Sequence, residues 1–246
     1  MIRSITALSR RCTCLTILGL TTAQAGEWQH EVAPYVWGSG MNGSSGVGDV
    51  VGSVDMSFGD ILDHLEFGFM GAYKASKDRW SILVDGVYMG LGTTQRGPGG
   101  ALKADMDLDQ TALELDGGYK ITEDFTVIAG LRYNDISVRV KTTGPLGLVQ
   151  GASGSQSWID PVVGATYRVP FSDVWSLTFR GDIGGFGIGS DFAWQGAATL
   201  RWQTSPNVGL LAAYRYIDMD YSGDGHRAFK YDMALSGPAV GVVFAF

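Results

Sequence analysis

The sequence predicts an all-β fold: a closed antiparallel transmembrane β-barrel of about ten strands, with eight or twelve as alternatives. Three observations carry this expectation. The stretch from Trp158 to Phe246 holds five runs in which apolar and polar residues alternate, joined by short polar turns. That is the period of strands with two unlike faces. Aromatic residues gather where the runs meet their turns, as in an interfacial girdle. No apolar run is long enough for a membrane helix, so membrane residence requires a barrel.

Taken in order, residues 1–25 read as a secretory signal. Arg3, Arg10 and Arg11 give the positive end, Cys12 to Leu20 an apolar core, and Ala23-Gln24-Ala25 a small-residue cleavage site. The barrel domain is then 26–246. The two cysteines lie in the signal, so the exported chain has no thiol chemistry. Strand one is expected over Trp28 to Gly40. Asn42 to Ser53, rich in Gly and Ser, reads as a flexible loop, although pairing by Val50 to Ser57 would raise the strand count. Residues 58–65 break the period of two. Phe58, Ile61, Leu62 and Leu65 share a helical face and Ser57 with Asp60 forms a capping signal, so a short helix is expected at the barrel mouth.

Strands two and three follow over Phe67 to Ala75 and from Trp80, around a turn at Ser76 to Arg79. Gly97 to Gly100 marks a loop. In strand four, Lys103 to Ile121, the acids change parity: Asp105, Asp107 and Asp109 are odd, Glu114 and Asp116 even. This predicts a bulge near Gln110. Strand five runs over Phe125 to Lys141 and a Gly-rich loop over Thr142 to Gln156. Strands six to ten start near Trp158, Trp175, Asp191, Val208 and Arg227. Connections are alternately short and long, the one near Ser190 excepted, as in bacterial outer-membrane barrels.

The face opposite the apolar one carries charge. If it lines a lumen, that lumen receives Arg132, Arg168, Arg180, Arg201 and Arg215, opposed by Asp85, Glu114, Asp116, Asp160 and Asp182. In a barrel this narrow, side chains fill the interior, and paired charges avoid the penalty of lone buried ions. The expectation is a largely salt-bridged, packed lumen, with a narrow porin-like channel for small solutes or ions as the alternative. Trp28, Trp80, Phe125, Tyr167, Trp175, Trp202 and Phe246 are the expected girdle toward membrane lipid.

The chain has 25 acidic residues, and 18 basic ones less the three signal arginines leave 15. So acidic a balance argues against a nucleic-acid partner. Neither a cofactor nor a metal site is expected. The three histidines are scattered, His30 and His64 have no evident partner, and acids such as Asp218 and Asp220 are at most weak cation sites.

Trp158-Ile159-Asp160-Pro161-Val162-Val163-Gly164, Gly181 to Gly187, Tyr214-Arg215-Tyr216 and the closing Phe246 resemble a widespread group of small proteobacterial outer-membrane barrel proteins. The resemblance covers most of the exported chain. It implies a barrel in the Gram-negative outer membrane, with no established activity and no functional residue to carry over. A terminal Phe after an alternating strand also resembles the signal read by the barrel assembly machinery, making that machinery an expected partner. The expected role is that of a monomeric, non-enzymatic envelope component. One enzymatic alternative rests on Asp105, Asp107 and the pair Asp224 and His226, a set of acids plus Asp-His resembling the hydrolytic constellation of omptin outer-membrane proteases.

Overall fold

The computed structural model describes residues 26–48, 50–96, 103–144, 149–223 and 228–246. The expected signal, the loop at Gly97 to Gly100 and the Asp224 to His226 segment lie outside the described residues.

The chain forms β1 (Gln29–Trp37), β2 (Gly40–Val47), β3 (Val50–Met56), α1 (Phe58–His64), β4 (Leu65–Lys77), β5 (Trp80–Arg96), β6 (Lys103–Lys120), β7 (Phe125–Thr143), β8 (Val149–Pro170), β9 (Trp175–Gly184), β10 (Phe192–Ser205), β11 (Val208–Ser222) and β12 (Phe229–Ala245). β1 and β4 to β12 make a ten-stranded antiparallel wall. It closes where β1 pairs with β12, Glu31 opposite Ala245 and Val36 opposite Val240. β2 continues from β1 past Gly38 and Ser39 and pairs with the first half of the same strand, Met41 opposite Leu235. β3 folds back onto β2, Met41 opposite Met56.

Three sequence expectations are corrected here. The Gly/Ser-rich segment Asn42 to Ser53 is part of the β2–β3 hairpin rather than a flexible loop. Its glycines allow close approach: a Cβ on Gly43 would run into the Asp232 carbonyl of β12. Thr142 to Gln156 is not all loop either, because β7 extends to Thr143 and β8 begins at Val149. The bulge near Gln110 is absent. β6 pairs without a register shift with β5 and β7. Its even residues face the lumen throughout, and Asp105 and Asp109 simply face outward. Beyond Tyr88 the outer wall no longer needs to be apolar: Asp109 accepts from the Tyr88 hydroxyl at 3.0 Å and pairs with Arg139 at 2.9 Å.

β5 to β8 run 17, 18, 19 and 22 residues, well beyond the roughly 9–11 that span a bilayer, so they project past it at the long-loop end. The outward set is exposed and apolar, including Val84, Leu115, Leu131, Val163, Phe179 and Val240, which suits contact with lipid. The named aromatics all lie at the short-turn end. Trp80 is 62 % exposed and Phe246 70 %, while Phe125 is only partly exposed. Trp175 and Trp202 are register partners and stack with ring centroids 5.4 Å apart. A second aromatic level includes Trp194, stacked on Tyr216 at 4.8 Å. Trp194 and Trp202 share one face of β10, roughly 27 Å apart along the strand at about 3.4 Å per residue, close to the height of an outer-membrane apolar band.

Phe246 completes the closure. Its N–H donates to the His30 carbonyl at 3.0 Å, and its carbonyl accepts from the His30 N–H at 3.1 Å. The His30 ring lies between Phe246 and Tyr73, 5.6 and 6.0 Å from their centroids. Contrary to expectation, both described histidines have partners, since His64 Nδ1 lies 2.7 Å from the Asp60 carbonyl.

The helix begins as the sequence predicts. Ser57 is an extended N-cap that accepts from the Asp60 N–H at 3.2 Å, and Asp60 accepts from the Ser57 N–H at 2.8 Å. The Ser57 hydroxyl also donates to the Asp60 carboxylate at 2.6 Å, and this bond first, then the one from the Ser57 N–H, holds the Asp60 carboxyl below the usual carboxylate range. The contribution is therefore present at neutral pH and lost as pH falls through that lowered value. Ile61 is buried in the barrel core. We expect Ser57→Ala to speed amide exchange within α1 about fivefold, as loss of an N-cap does, with no change in the β12 ladder. Exchange rates by mass spectrometry decide this.

Candidate functional site

The lumen has three levels. At the short-turn end a polar cavity of about 710 Å³ is lined by residues including Glu31, Lys74, Lys120, Arg168 and Arg201. At mid-height a belt of charges crosses the barrel. Above it the interior is apolar, built from Trp37, Met41, Ile61, Met89, Trp158, Met219, Tyr231, Met233 and their neighbours.

The belt is assembled from seven strands, each presenting one inward side chain or two. Arg132 of β7 is 2 % exposed. Its Nε meets Glu114 at 2.7 Å and its Nη2 meets Asp182 at 2.8 Å. Arg180 of β9 reaches Asp182 through Nε at 2.8 Å and also contacts Glu114. Its Nη2 is 2.9 Å from Asp116, at ion-pair distance but without hydrogen-bond alignment, since the buried Asp116 oxygens have no hydrogen-bond partner. Arg215 of β11 pairs with Asp85 at 3.0 Å and donates to Gln195 at 2.8 Å. The Tyr35 hydroxyl donates to Asp85 at 2.9 Å, and the Arg215 guanidinium lies 5.1 Å from the centre of the Trp37 ring, within cation–π range. Three arginines thus face four carboxylates. Sharing keeps the desolvation penalty of each ion matched by several contacts, except that Arg132 Nη1 has no partner.

Of the ten charged residues named from sequence, seven form this belt: Asp85, Glu114, Asp116, Arg132, Arg180, Asp182 and Arg215. The other three differ. Arg201 lies one level toward the short turns and pairs with Glu31 at 2.7 Å, a partner not anticipated. Arg168 faces the polar cavity and makes no ion pair among the described residues. Asp160 is fully buried but pairs with no arginine. Its oxygens accept from the Ser190 N–H at 2.6 Å, the Ser190 hydroxyl at 2.9 Å, Trp158 Nε1 at 3.1 Å and Asn134 Nδ2 at 3.3 Å.

The link near Ser190, expected to be tight, spans seven residues, 185–191, and is no shorter than the others at its end of the barrel; it is the strands it joins that are short, β9 at 10 and β10 at 14 residues. β9 ends at Gly184, and the chain turns through Gly185, Phe186 and Gly187 at φ 84°, 53° and 70°. The glycines adopt the left-handed region freely, whereas Phe186 does so at a cost. Asp160 fixes the far side of that turn. Sequence reasoning missed Tyr35, Gln195, Asn134 and Ser190 because neutral inward residues on a strand carry no distinguishing pattern.

Of the acids in the proposed hydrolytic set, Asp105 is engaged. Asp105 accepts from Thr94 at 2.6 Å and pairs with Lys103 at 2.8 Å. Asp107 lies on β6, while Asp224 and His226 lie outside the described residues. No group of three metal-ligating side chains converges among the described residues.

A scan against known protein families finds no match, and a search of curated proteins finds none either. Solved structures do match. The outer-membrane protease OmpT of Escherichia coli aligns over 89 % of this chain and 97 % of its own, at 10 % identity and a TM-score of 0.54. Ail, the attachment invasion locus protein of Yersinia pestis, aligns over 89 % and 98 % at 12 % identity and a TM-score of 0.41. The translocator domain of the autotransporter NalP from Neisseria meningitidis aligns over 91 % and 90 % at 14 % identity and 0.41. The likeness to OmpT is one of fold: this chain has the fold of a Gram-negative outer-membrane β-barrel. The resemblance to small proteobacterial barrels read from the sequence stands at that level.

Proposed function

We propose that this protein resides in the outer membrane as a closed, monomeric, non-enzymatic barrel, an envelope component that offers its outer surface rather than a path. The observation that carries this reading is the double closure of the lumen. The charge belt from Asp85 to Asp182 spans the interior, and the apolar cluster around Trp37, Trp158 and Tyr231 lies above it. An ion would have to break a shared ion-pair network and then enter an apolar layer. The engagement of Asp105 by Lys103 and Thr94 supports a non-enzymatic role. Export through the N-terminal segment and recognition of the last strand by the assembly machinery belong to the same reading.

Refolded protein in a planar bilayer should give no discrete conductance steps once insertion is confirmed. Salt-dependent steps would instead favour a narrow channel. The polar cavity of about 710 Å³ at the short-turn end is the observation that favours this second reading, since it would form one vestibule of such a pore.

A further inference from the structure

The wall has a seam. Pairing of β1 with β4 stops at Pro34 opposite Gly71, although both strands continue. Above that point the Trp37 N–H donates to Met70 Sδ at 3.1 Å instead of to a ladder carbonyl, and Phe58 of α1 packs against Gly38. An open strand edge at membrane depth must be covered, and here a thioether and a short helix cover it. Behind the seam lies a cavity of about 110 Å³, walled by Trp37, Ile61, Met70 and Met89. Its rim includes Val36, Phe58, Leu62 and Leu65, all exposed on the outside of the barrel, Val36 by 60 % and Leu62 by 54 %.

We propose that this cavity binds a small neutral aromatic molecule that enters sideways from the membrane through the β1–β4 seam. Size limits the ligand first, because apolar protein cavities of about 150 Å³ stay dry and take up benzene. Charge limits it next. The cavity floor carries Asp85 and Glu114 beside Arg132 and Arg215, with Asp85 already paired to Arg215 and Glu114 to Arg132, so neither an anionic nor a cationic head gains a free counter-ion. Arg132, with Nη1 unpartnered, and a wall containing Met41, Met70 and Met89 favour a ring. Guanidinium groups and thioether sulfurs are both attracted to aromatic systems, and an alkyl chain offers them nothing comparable.

Gly68 lines the cavity, and a Cβ there would have ordinary contacts of 3.6 Å with Leu65 and the Tyr88 carbonyl. Gly68→Leu should therefore fill the cavity while leaving every belt residue in place. Saturating benzene is expected to raise the thermal unfolding midpoint of the refolded protein by about 3–5 °C and leave that of Gly68→Leu unchanged. In crystals of the unaltered protein equilibrated with bromobenzene, the anomalous bromine signal should fall inside the cavity. Equal shifts in both proteins, bromine confined to the outer wall, or a detergent or lipid acyl chain filling the cavity would each overturn the proposal. The bromine readout needs no variant, so a Gly68→Leu chain that fails to fold leaves the test intact. Neither readout depends on whether the lumen conducts.

Discussion

Arg132→Met lowers the stability of the refolded barrel by about 3–5 kcal/mol, the usual effect of removing one partner from a buried ion pair. Arg132 is the centre of the belt because it bonds carboxylates from two strands, Glu114 at 2.7 Å and Asp182 at 2.8 Å. Methionine keeps most of the volume and stays in the lumen, so the loss reports charge rather than a cavity. With it, four carboxylates face the two remaining arginines, Arg180 and Arg215. Arg132→Lys recovers only part of the loss, since a compact ammonium cannot present Nε and Nη2 to two acids as a planar fork does. The triple change Arg132→Met, Glu114→Gln and Asp182→Asn recovers more than Lys does, because it restores the charge balance of the belt, leaving Arg180 with Asp116 and Arg215 with Asp85. Urea unfolding in lipid vesicles, followed by tryptophan fluorescence and by the gel-mobility difference between folded and unfolded barrel, measures all three. A loss below about 1 kcal/mol for Arg132→Met would place the belt among interactions that stabilise little.

Much of this architecture was legible in the sequence, for a physical reason. Between the two aromatic levels, lipid on one side and a crowded lumen on the other force each residue onto one of two very different faces. The alternation of Trp175, Leu177 and Phe179 against Ser176, Thr178 and Arg180 records that directly. Past the membrane the constraint lapses, and alternation no longer separates two unlike faces. The outward Asp105 and Asp109 look out of phase only to a rule that assumes lipid outside, and that rule places a bulge where β6 pairs evenly. Gly and Ser in Asn42 to Ser53 suggested a loop, yet small residues also allow strands to approach closely, as Gly43 does against Asp232. The helix was legible because Ser57 and Asp60 form a local signal three residues apart. The seam was not, because the end of a ladder between strands far apart in sequence leaves no local trace.

Asp160 shows how a charge can be placed correctly by periodicity and still have its role misread. It faces the lumen, as alternation requires, but it serves neutral donors and holds a turn. Asp160→Ala is expected to destabilise the barrel by about 3 kcal/mol or more, because several buried donors lose a charged acceptor and each such bond contributes about 1.5–3 kcal/mol. Asp160→Asn should be destabilised as well. Its one remaining acceptor oxygen can serve the Ser190 N–H, but its amide then turns donor toward donor at Trp158 Nε1 and Asn134 Nδ2. The local consequence separates this from a general loss of packing. Phe186 is 49 % exposed and sits in the left-handed region between two glycines, held by Gly187 and Ile188 amide bonds of 3.0 Å to Ser190 and Gly185. With Ser190 released, that strained residue can leave the turn, and chymotrypsin should cut after Phe186 at concentrations that leave the unaltered barrel intact. Ser190→Ala removes the hydroxyl but keeps the N–H to Asp160, so its cleavage rate should fall between the two. If Asp160→Ala resists chymotrypsin like the unaltered protein, the turn is held by the β8–β9 ladder alone, and Asp160 then serves only to satisfy Trp158 and Asn134 in the core.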